Sequence, residues 1–145
     1  MIALIQRVTE ASVEVDGHTV GRIGSGVLAL VGVRQGDVAA SVRRLASRLI
    51  GYRIFADEAG RMNRSLADVG GELLLVPQFT LAADTRSGMR AGFSTAAAPQ
   101  SARQLFEALV EETRRSIARV ETGQFGAHMK VRLTNDGPVT FWLEA

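Results

Sequence analysis

Two short stretches stand out for the chemistry their residues can do. Gln78-Phe79-Thr80 lies near the end of a strongly apolar segment, Glu72 to Leu81, that also contains Pro77. Proline has no N–H to give to a ladder, so a strand must end, bulge or lie at an edge there. A strand end leaves backbone N–H groups unpaired, and such groups can hold an oxyanion. The second stretch is Gly137-Pro138. Glycine lets the backbone approach a ligand closely, and an X-Pro bond can be cis. Read locally, the first is also compatible with an ordinary strand terminus and the second with a simple turn.

Other catalytic equipment is scarce. The chain has no cysteine, which removes thiol nucleophiles, disulfide scaffolds and thiolate metal sites. It has two histidines, His18 and His128, too few for a multi-histidine metal centre. Neither is spaced as a triad partner, and there is no G-x-S-x-G elbow. Asp57, Glu58 and Asp84 read as loop carboxylates in contact with solvent rather than as a paired acid and base. Gly21, Gly24 and Gly26 are spaced G-x-x-G-x-G before a strand, which is not a dinucleotide fingerprint. No metal and no cofactor are expected.

Charge is informative mainly by its smallness. The pI is about 9.9, but the net charge is only +2, from 17 basic and 15 acidic residues. All the cations except Lys130 are arginines, which stay charged to very high pH. Such a surplus does not by itself demand a polyanionic partner. Arg43, Arg44 and Arg48, or Arg114, Arg115 and Arg119, are the clusters that would make a basic track. The apolar run Val27 to Val33 is too short to span a bilayer, and no leader pattern precedes Arg7. With the absence of cysteine, this reads as a soluble, cytoplasmic protein with no membrane partner.

The elements that must position these residues follow from periodicity. The 145 residues, 46% of them hydrophobic, suit one domain with a real core. Ile2 to Val8 and Ala11 to Val15 read as strands, followed by an Asp16-Gly17 turn and a return strand, His18 to Ile23. Val27 to Val33, Tyr52 to Ala56, Glu72 to Leu81, Lys130 to Thr134 and Val139 to Leu143 are further strands, the last two separated by an Asn135-to-Pro138 turn. Asp37 to Ile50 has helical spacing, with Asp37 as N-cap and Val38, Val42, Leu45 and Leu49 on one face. A second helix runs from Pro99 or Ser101 to about Val120. Its stripe is Leu105, Phe106, Leu109, Val110, Ile117 and Val120, with Gly123 as its stop. Helices and strands do not alternate regularly, so a doubly wound sheet is excluded. The expected fold is α+β: mostly antiparallel or mixed sheets forming a barrel-like core, with two main amphipathic helices.

Taken together, the two stretches carry a resemblance. Met1-Ile2-Ala3-Leu4-Ile5-Gln6-Arg7-Val8, Gly51-Tyr52-Arg53-Ile54-Phe55, Gln78 through Thr85 (QFTLAADT) and Asn135 through Thr140 (NDGPVT) resemble the D-aminoacyl-tRNA deacylase family, essentially end to end. The resemblance implies a homodimeric, metal-independent esterase acting on the 3′ end of D-aminoacyl-tRNA or glycyl-tRNA, with active sites at the subunit interface. It implies that the Gly137-Pro138 bond is cis, that this pair enters the other subunit's site and rejects L-amino acids, and that Arg7 supports it. It assigns Gln78, Phe79 and Thr80 to the catalytic pocket, with the Phe79 and Thr80 N–H groups holding the scissile carbonyl oxygen. Phe125 and Met129 would line the pocket for the terminal adenosine. Thr80 has no visible partner base, which favours assistance by the ribose 2′-OH over a threonine nucleophile. Two positions depart from the family pattern: Pro77 stands where Ser is usual, and Ala91-Gly92 stands where Pro-Ser often precedes Phe93. A non-catalytic RNA-binding module and a structural dimerisation domain are the alternatives. Neither requires both motifs.

Overall fold

The computed structural model describes residues 1–145. Its hub is strand β1 (Ile2–Val15), which pairs antiparallel with three others. Strand β3 (Gly26–Gly32) takes its first half, β2 (His18–Ile23) its second half, and β8 (Lys130–Glu144) its other edge. Strand β6 (Glu72–Pro77) joins β3 in parallel, and β7 (Val120–Thr122) joins β6 in parallel. The sheet is therefore mixed. It curls until β2 lies against β7, nearly closing a barrel. The approach is close enough that a Cβ on Gly21 would lie 2.6 Å from the Thr122 carbonyl oxygen, which is why that position has no side chain.

Alternation on the central strands explains two cores. On β3 and β6, Val27, Ala29, Val31, Leu73 and Leu75 face the helices. Leu28, Leu74 and Val76 face the barrel interior with Val8, Val13 and Ile23. Burial on both faces is what makes these strands read as continuous apolar runs. Helices α1 (Ala39–Gly51) and α3 (Pro99–Arg114) pack on the outer face, through Val42, Leu45 and Leu49 of α1 and Ala102, Phe106, Leu109 and Val110 of α3. A small hairpin, β4 (Phe55–Ala56) and β5 (Met62–Arg64), and a single turn, α2 (Leu66–Val69), connect α1 to β6. The fold is α+β, as the sequence patterning predicts. No helix is long and apolar enough to cross a membrane.

Several boundaries differ from the sequence expectation, each for a tertiary reason. The two predicted opening strands are one, because β8 pairs along both halves of it, with β3 on the first half and β2 on the second, and only register shifts around Val8 mark the join. Asp37 does not cap α1. Its carboxylate accepts from the Arg34 N–H at 2.7 Å and pairs with the Met1 amino group, while Val38 occupies the cap position and is exposed. Only Phe55–Ala56 of the Tyr52-to-Ala56 segment is strand. Helix α3 ends at Arg114, well short of Val120. Ile117 and Val120 continue the apolar period and are buried, but Val120 pairs with Leu73 as the start of β7. Strand pairing there overrides helical spacing. Gly123 is accordingly not a helix stop: it follows β7, and a Cβ there would lie 2.8 Å from Met129 Sδ.

Candidate functional site

The Gln78 segment begins where β6 runs out. Gln78 N–H still donates to the Val31 carbonyl at 2.7 Å, completing the ladder with β3. Pro77 is tolerated because its missing N–H falls at the strand terminus, after the Gly123 N–H has made β7's last bond to Leu75 O. The predicted continuation to Leu81 as strand does not occur. Phe79–Ala82 forms a single 3-10 turn instead, with the Leu81 N–H donating to Gln78 O at 3.2 Å. The N–H groups of Phe79 and Thr80 precede the first carbonyls of that turn and so have no partner within it.

Gln78 and Phe79 line an apolar pocket of about 320 Å³. Its other walls are Val31 and Val33 from the β3 end, Pro99, Ala102 and Phe106 from α3, and Phe125 with Gly126 from the loop after β7. Thr80 lines instead a neighbouring, more polar cleft of about 570 Å³ shared with Arg34, Asp84, Arg86 and Trp142. The Gln78 side-chain amide donates to the Thr80 hydroxyl oxygen. An amide N–H cannot take a proton from that hydroxyl. No carboxylate or imidazole touches it, and both histidines are exposed elsewhere.

The segment after Thr80 is braced from within. Arg86 donates to both Asp84 carboxylate oxygens, at 2.9 and 2.7 Å, and its backbone N–H adds a third bond. These donors hold the Asp84 carboxyl well below the usual carboxylate range and raise the Arg86 guanidinium further. Asp84 is thus fixed as an anion and is unsuited to general-acid work at neutral pH. On the same rim, Phe93 stacks on Phe79 with ring centroids 4.8 Å apart.

Met129 does not line the pocket with Phe125. Its side chain packs toward the barrel interior, and its sulfur accepts from the Gln124 N–H at 3.3 Å. Its contact is therefore with the loop that carries Phe125 rather than with the pocket. Phe125 itself sits between Phe106, at 6.4 Å between ring centroids, and the Arg103 guanidinium, 5.0 Å from its ring centre.

The Gly137-Pro138 stretch is not a chain-reversing turn. Both its flanks belong to β8 and pair with β1, but Asn135 opposes Val8 while Thr140 opposes Gln6. Five residue steps of β8 span two of β1, so the segment bulges out of the sheet. Asn135 closes the bulge: its side-chain oxygen accepts from the Val139 N–H at 2.7 Å, and its amide donates to Thr140. The Gly137-Pro138 peptide bond is cis. Gly137 has φ +147°, and a Cβ there would lie 2.6 Å from Val139 Cγ2, so the position requires glycine.

Arg7 anchors this bulge. Its Nε donates to the Asp136 carbonyl at 2.9 Å and one terminal nitrogen donates to the Ile54 carbonyl at 2.7 Å. The Asp136 carboxylate adds an ion pair at 3.4 Å. Within one chain, however, the bulge and the Gln78 pocket lie apart. Gln78 bonds Val31, which faces Ala3, and Ala3 is about 13 Å along β1 from Arg7 at ~3.3 Å per residue. Strands β1 and β3 also stand between β6 and β8.

The structure therefore brings together Gln78, Phe79 and Phe125, turns Thr80 to a neighbouring cleft, and seats Gly137 and Pro138 on Arg7 elsewhere. The sequence reading missed Ala102 and Phe106 as pocket walls, although their i, i+4 spacing at the start of the apolar stripe places them on one face.

Comparison with known proteins shows the family and the fold. A sequence model of the family described as D-Tyr-tRNA(Tyr) deacylase matches residues 4–144. Proteins named D-aminoacyl-tRNA deacylase from Thioalkalivibrio sulfidiphilus and Xanthomonas campestris are each 65% identical over 144 residues. They cover 99% of this chain, and 97% and 99% of their own lengths are matched. A solved structure titled c-Myc DNA Unwinding Element Binding Protein superposes with a TM-score of 0.95 at 34% identity, covering 100% of this chain and 99% of its own. A structure described as a probable eukaryotic D-amino acid tRNA deacylase gives a TM-score of 0.85 at 17% identity, covering 99% and 98%, a likeness of fold. On sequence match along almost its whole length, the chain belongs to the D-Tyr-tRNA(Tyr) deacylase family.

Proposed function

We propose that this chain carries out its family's reaction, hydrolysis of the ester in D-aminoacyl-tRNA, with backbone donors and the substrate's own ribose rather than with a side-chain nucleophile. The observation that carries this reading is the 3-10 turn at Phe79–Ala82, whose first N–H groups have no partner within it, with Phe79 lining an apolar pocket and the Thr80 hydroxyl accepting from the Gln78 amide alone. Donors fixed in this way stabilise the oxyanion of the tetrahedral intermediate without reorganising. The 2′-OH of the terminal ribose then helps to activate water or the ester. The pocket walled by Phe106 and Phe125 takes the terminal adenosine by stacking and apolar contact. No group of three or more histidine and carboxylate side chains is assembled, and no step is assigned to a metal.

Stereochemical choice is assigned to Gly137 and Pro138. Their carbonyls, presented by a bulge braced on Arg7, would face the amino group and Cα of the substrate, leaving no room for an L side chain while hydrogen or a D side chain escapes. The separation of bulge and pocket within one chain supports a bulge supplied by a second copy, and hence a homodimer with interfacial sites. Glycyl-tRNA would pass the same filter.

The test pairs D- and L-tyrosyl-tRNA in the presence of chelator. Selective hydrolysis of the D form is expected; equal cleavage of both, or of neither, refutes the reading. Substrate ending in 2′-deoxyadenosine should lose most of its rate. If Thr80→Ala is inactive while the deoxy substrate reacts normally, threonine attack is the better account.

A further inference from the structure

We propose that Arg103 is a positioning residue that binds the phosphodiester leading into the substrate's terminal nucleoside. The proposal rests on the reading that the Phe125 pocket takes the terminal adenosine. Phe106 and Phe125 form a shared wall between two cavities: the apolar pocket of about 320 Å³, and a larger open cleft of about 630 Å³ between α3 and the strand β7 loop. One side of the wall is nonpolar. The other presents Arg103, Glu107, Glu111, Arg114, Thr122 and Gln124.

The two arginines of the cleft are not equivalent. Arg114 is engaged by Glu111 at 2.9 Å. Arg103, in the first half of α3, makes no ion pair and donates no side-chain hydrogen bond to the protein, unlike Arg114 and Arg115, although Glu107 lies one turn further along the same helix. It is nevertheless held in place, because its guanidinium lies over the Phe125 ring at 5.0 Å. Such stacking orients the planar fork while leaving its five N–H donors free. An unpaired guanidinium seated on the wall of a nucleoside pocket suits one ligand chemistry in particular. A nucleotide with its base in the pocket places its 5′ phosphate one sugar away, within reach of a guanidinium seated on the wall the two cavities share. Arginine recognises phosphate oxygens through paired N–H donors. The small net charge fits this picture: affinity for the nucleic acid would come from a few placed arginines rather than from a general positive field.

The experiment compares D-tyrosyl-tRNA with 3′-D-tyrosyl-adenosine, a nucleoside ester that lacks the phosphate, for wild type, Arg103→Gln and Arg103→Lys. With tRNA, Arg103→Gln should raise KM about five- to tenfold with kcat changed less than about twofold. The loss with tRNA should exceed the loss with the nucleoside ester by about fivefold, and the slope of log KM against log salt should fall by about 0.7. Arg103→Lys should restore the salt slope while recovering only part of KM. Equal losses on the two substrates would mean that Arg103 merely covers Phe125. An unchanged KM for tRNA would equally overturn the assignment. Wild type inactive on both esters would instead overturn the underlying reading of the pocket, and this one with it.

Discussion

Arg7 links the sheet to the Gly137 bulge, and its removal gives a sharply graded expectation. Arg7→Ala deletes two hydrogen bonds from a charged donor to backbone carbonyls, at 2.9 and 2.7 Å, and one ion pair at 3.4 Å. Bonds to charged groups contribute about 1.5–3 kcal/mol each. The Asp136 carboxylate is 53% exposed, which leaves the ion pair within the range of about 0–1 kcal/mol for surface pairs. The two carbonyl bonds therefore dominate, and Arg7→Ala should cost about 3 kcal/mol. Asp136→Asn, which keeps the Asp136 carbonyl, should cost less than about 1 kcal/mol. Urea titrations with unchanged m-values would measure both. In the same proteins, hydrolysis of D- and L-tyrosyl-tRNA should show selectivity falling in Arg7→Ala and retained in Asp136→Asn. The reasoning fails if the two variants are equally destabilised, because the carboxylate would then be the anchor. It also fails if Arg7→Ala is destabilised as expected but discriminates D from L as well as wild type, because an unbraced bulge could not be the stereochemical wall.

Three further outcomes test the scaffold. Gly21→Ala places a Cβ within 2.6 Å of the Thr122 carbonyl, so β2 and β7 must separate; a stability loss of about 1–3 kcal/mol by urea denaturation is expected. Because the Asp84 carboxyl is depressed below 3.8 by Arg86, its contribution is present above that value and lost as pH falls through the folded-state pKa. The melting-temperature difference between wild type and Asp84→Asn should hold from pH 7 to about 4 and narrow below that, and a difference that instead grows on acidification contradicts the assigned pair. Pro77→Ser restores an N–H at a strand terminus that has no further β7 partner, so stability should change by less than about 1 kcal/mol and D-selective activity should persist. Loss of activity in a folded Pro77→Ser protein would show that this chain depends on its proline.

Much of the fold could be read from local patterning because local and tertiary demands coincide there. The apolar β-branched segments of β1, the continuous apolar run of β3, the Asp16-Gly17 hairpin and the apolar faces of α1 and α3 all point the same way. The errors arise where distant partners decide. Ile117 and Val120 keep a helical period, yet Leu73 claims Val120 for the sheet. Asp37 has the composition of a cap, yet the Met1 amino group and Arg34 take its carboxylate. Asn135-Asp136-Gly137-Pro138 has the composition of a hairpin turn, yet β1 pairs with both flanks and turns the surplus residues into a bulge.

The candidate site follows the same rule and gives it a physical reason. Gln78-Phe79-Thr80 was legible because Pro77 announces a strand end, and a strand end is a local event. Pocket walls such as Val33, Ala102 and Phe106 were not, because in sequence they are ordinary core residues that acquire a second face only where α3 and the β3 terminus diverge. Met129 illustrates the converse. Its residue type suits an adenosine pocket, but Gly123 and Gln124 hold its sulfur behind the loop that carries Phe125. A site that works through backbone donors, as proposed, is marked in sequence by the residues that break regular structure, Pro77, Gly123, Gly126 and Gly137, more than by residues with reactive side chains. Each of the four ends or bends an element beside a group to which the proposed mechanism gives a part: the Phe79 N–H, the Phe125 ring or the Gly137-Pro138 carbonyls. On the proposed mechanism, a chain without cysteine and with two exposed histidines is not short of catalytic means, since the donors it would use belong to the main chain and are positioned by where the strands stop.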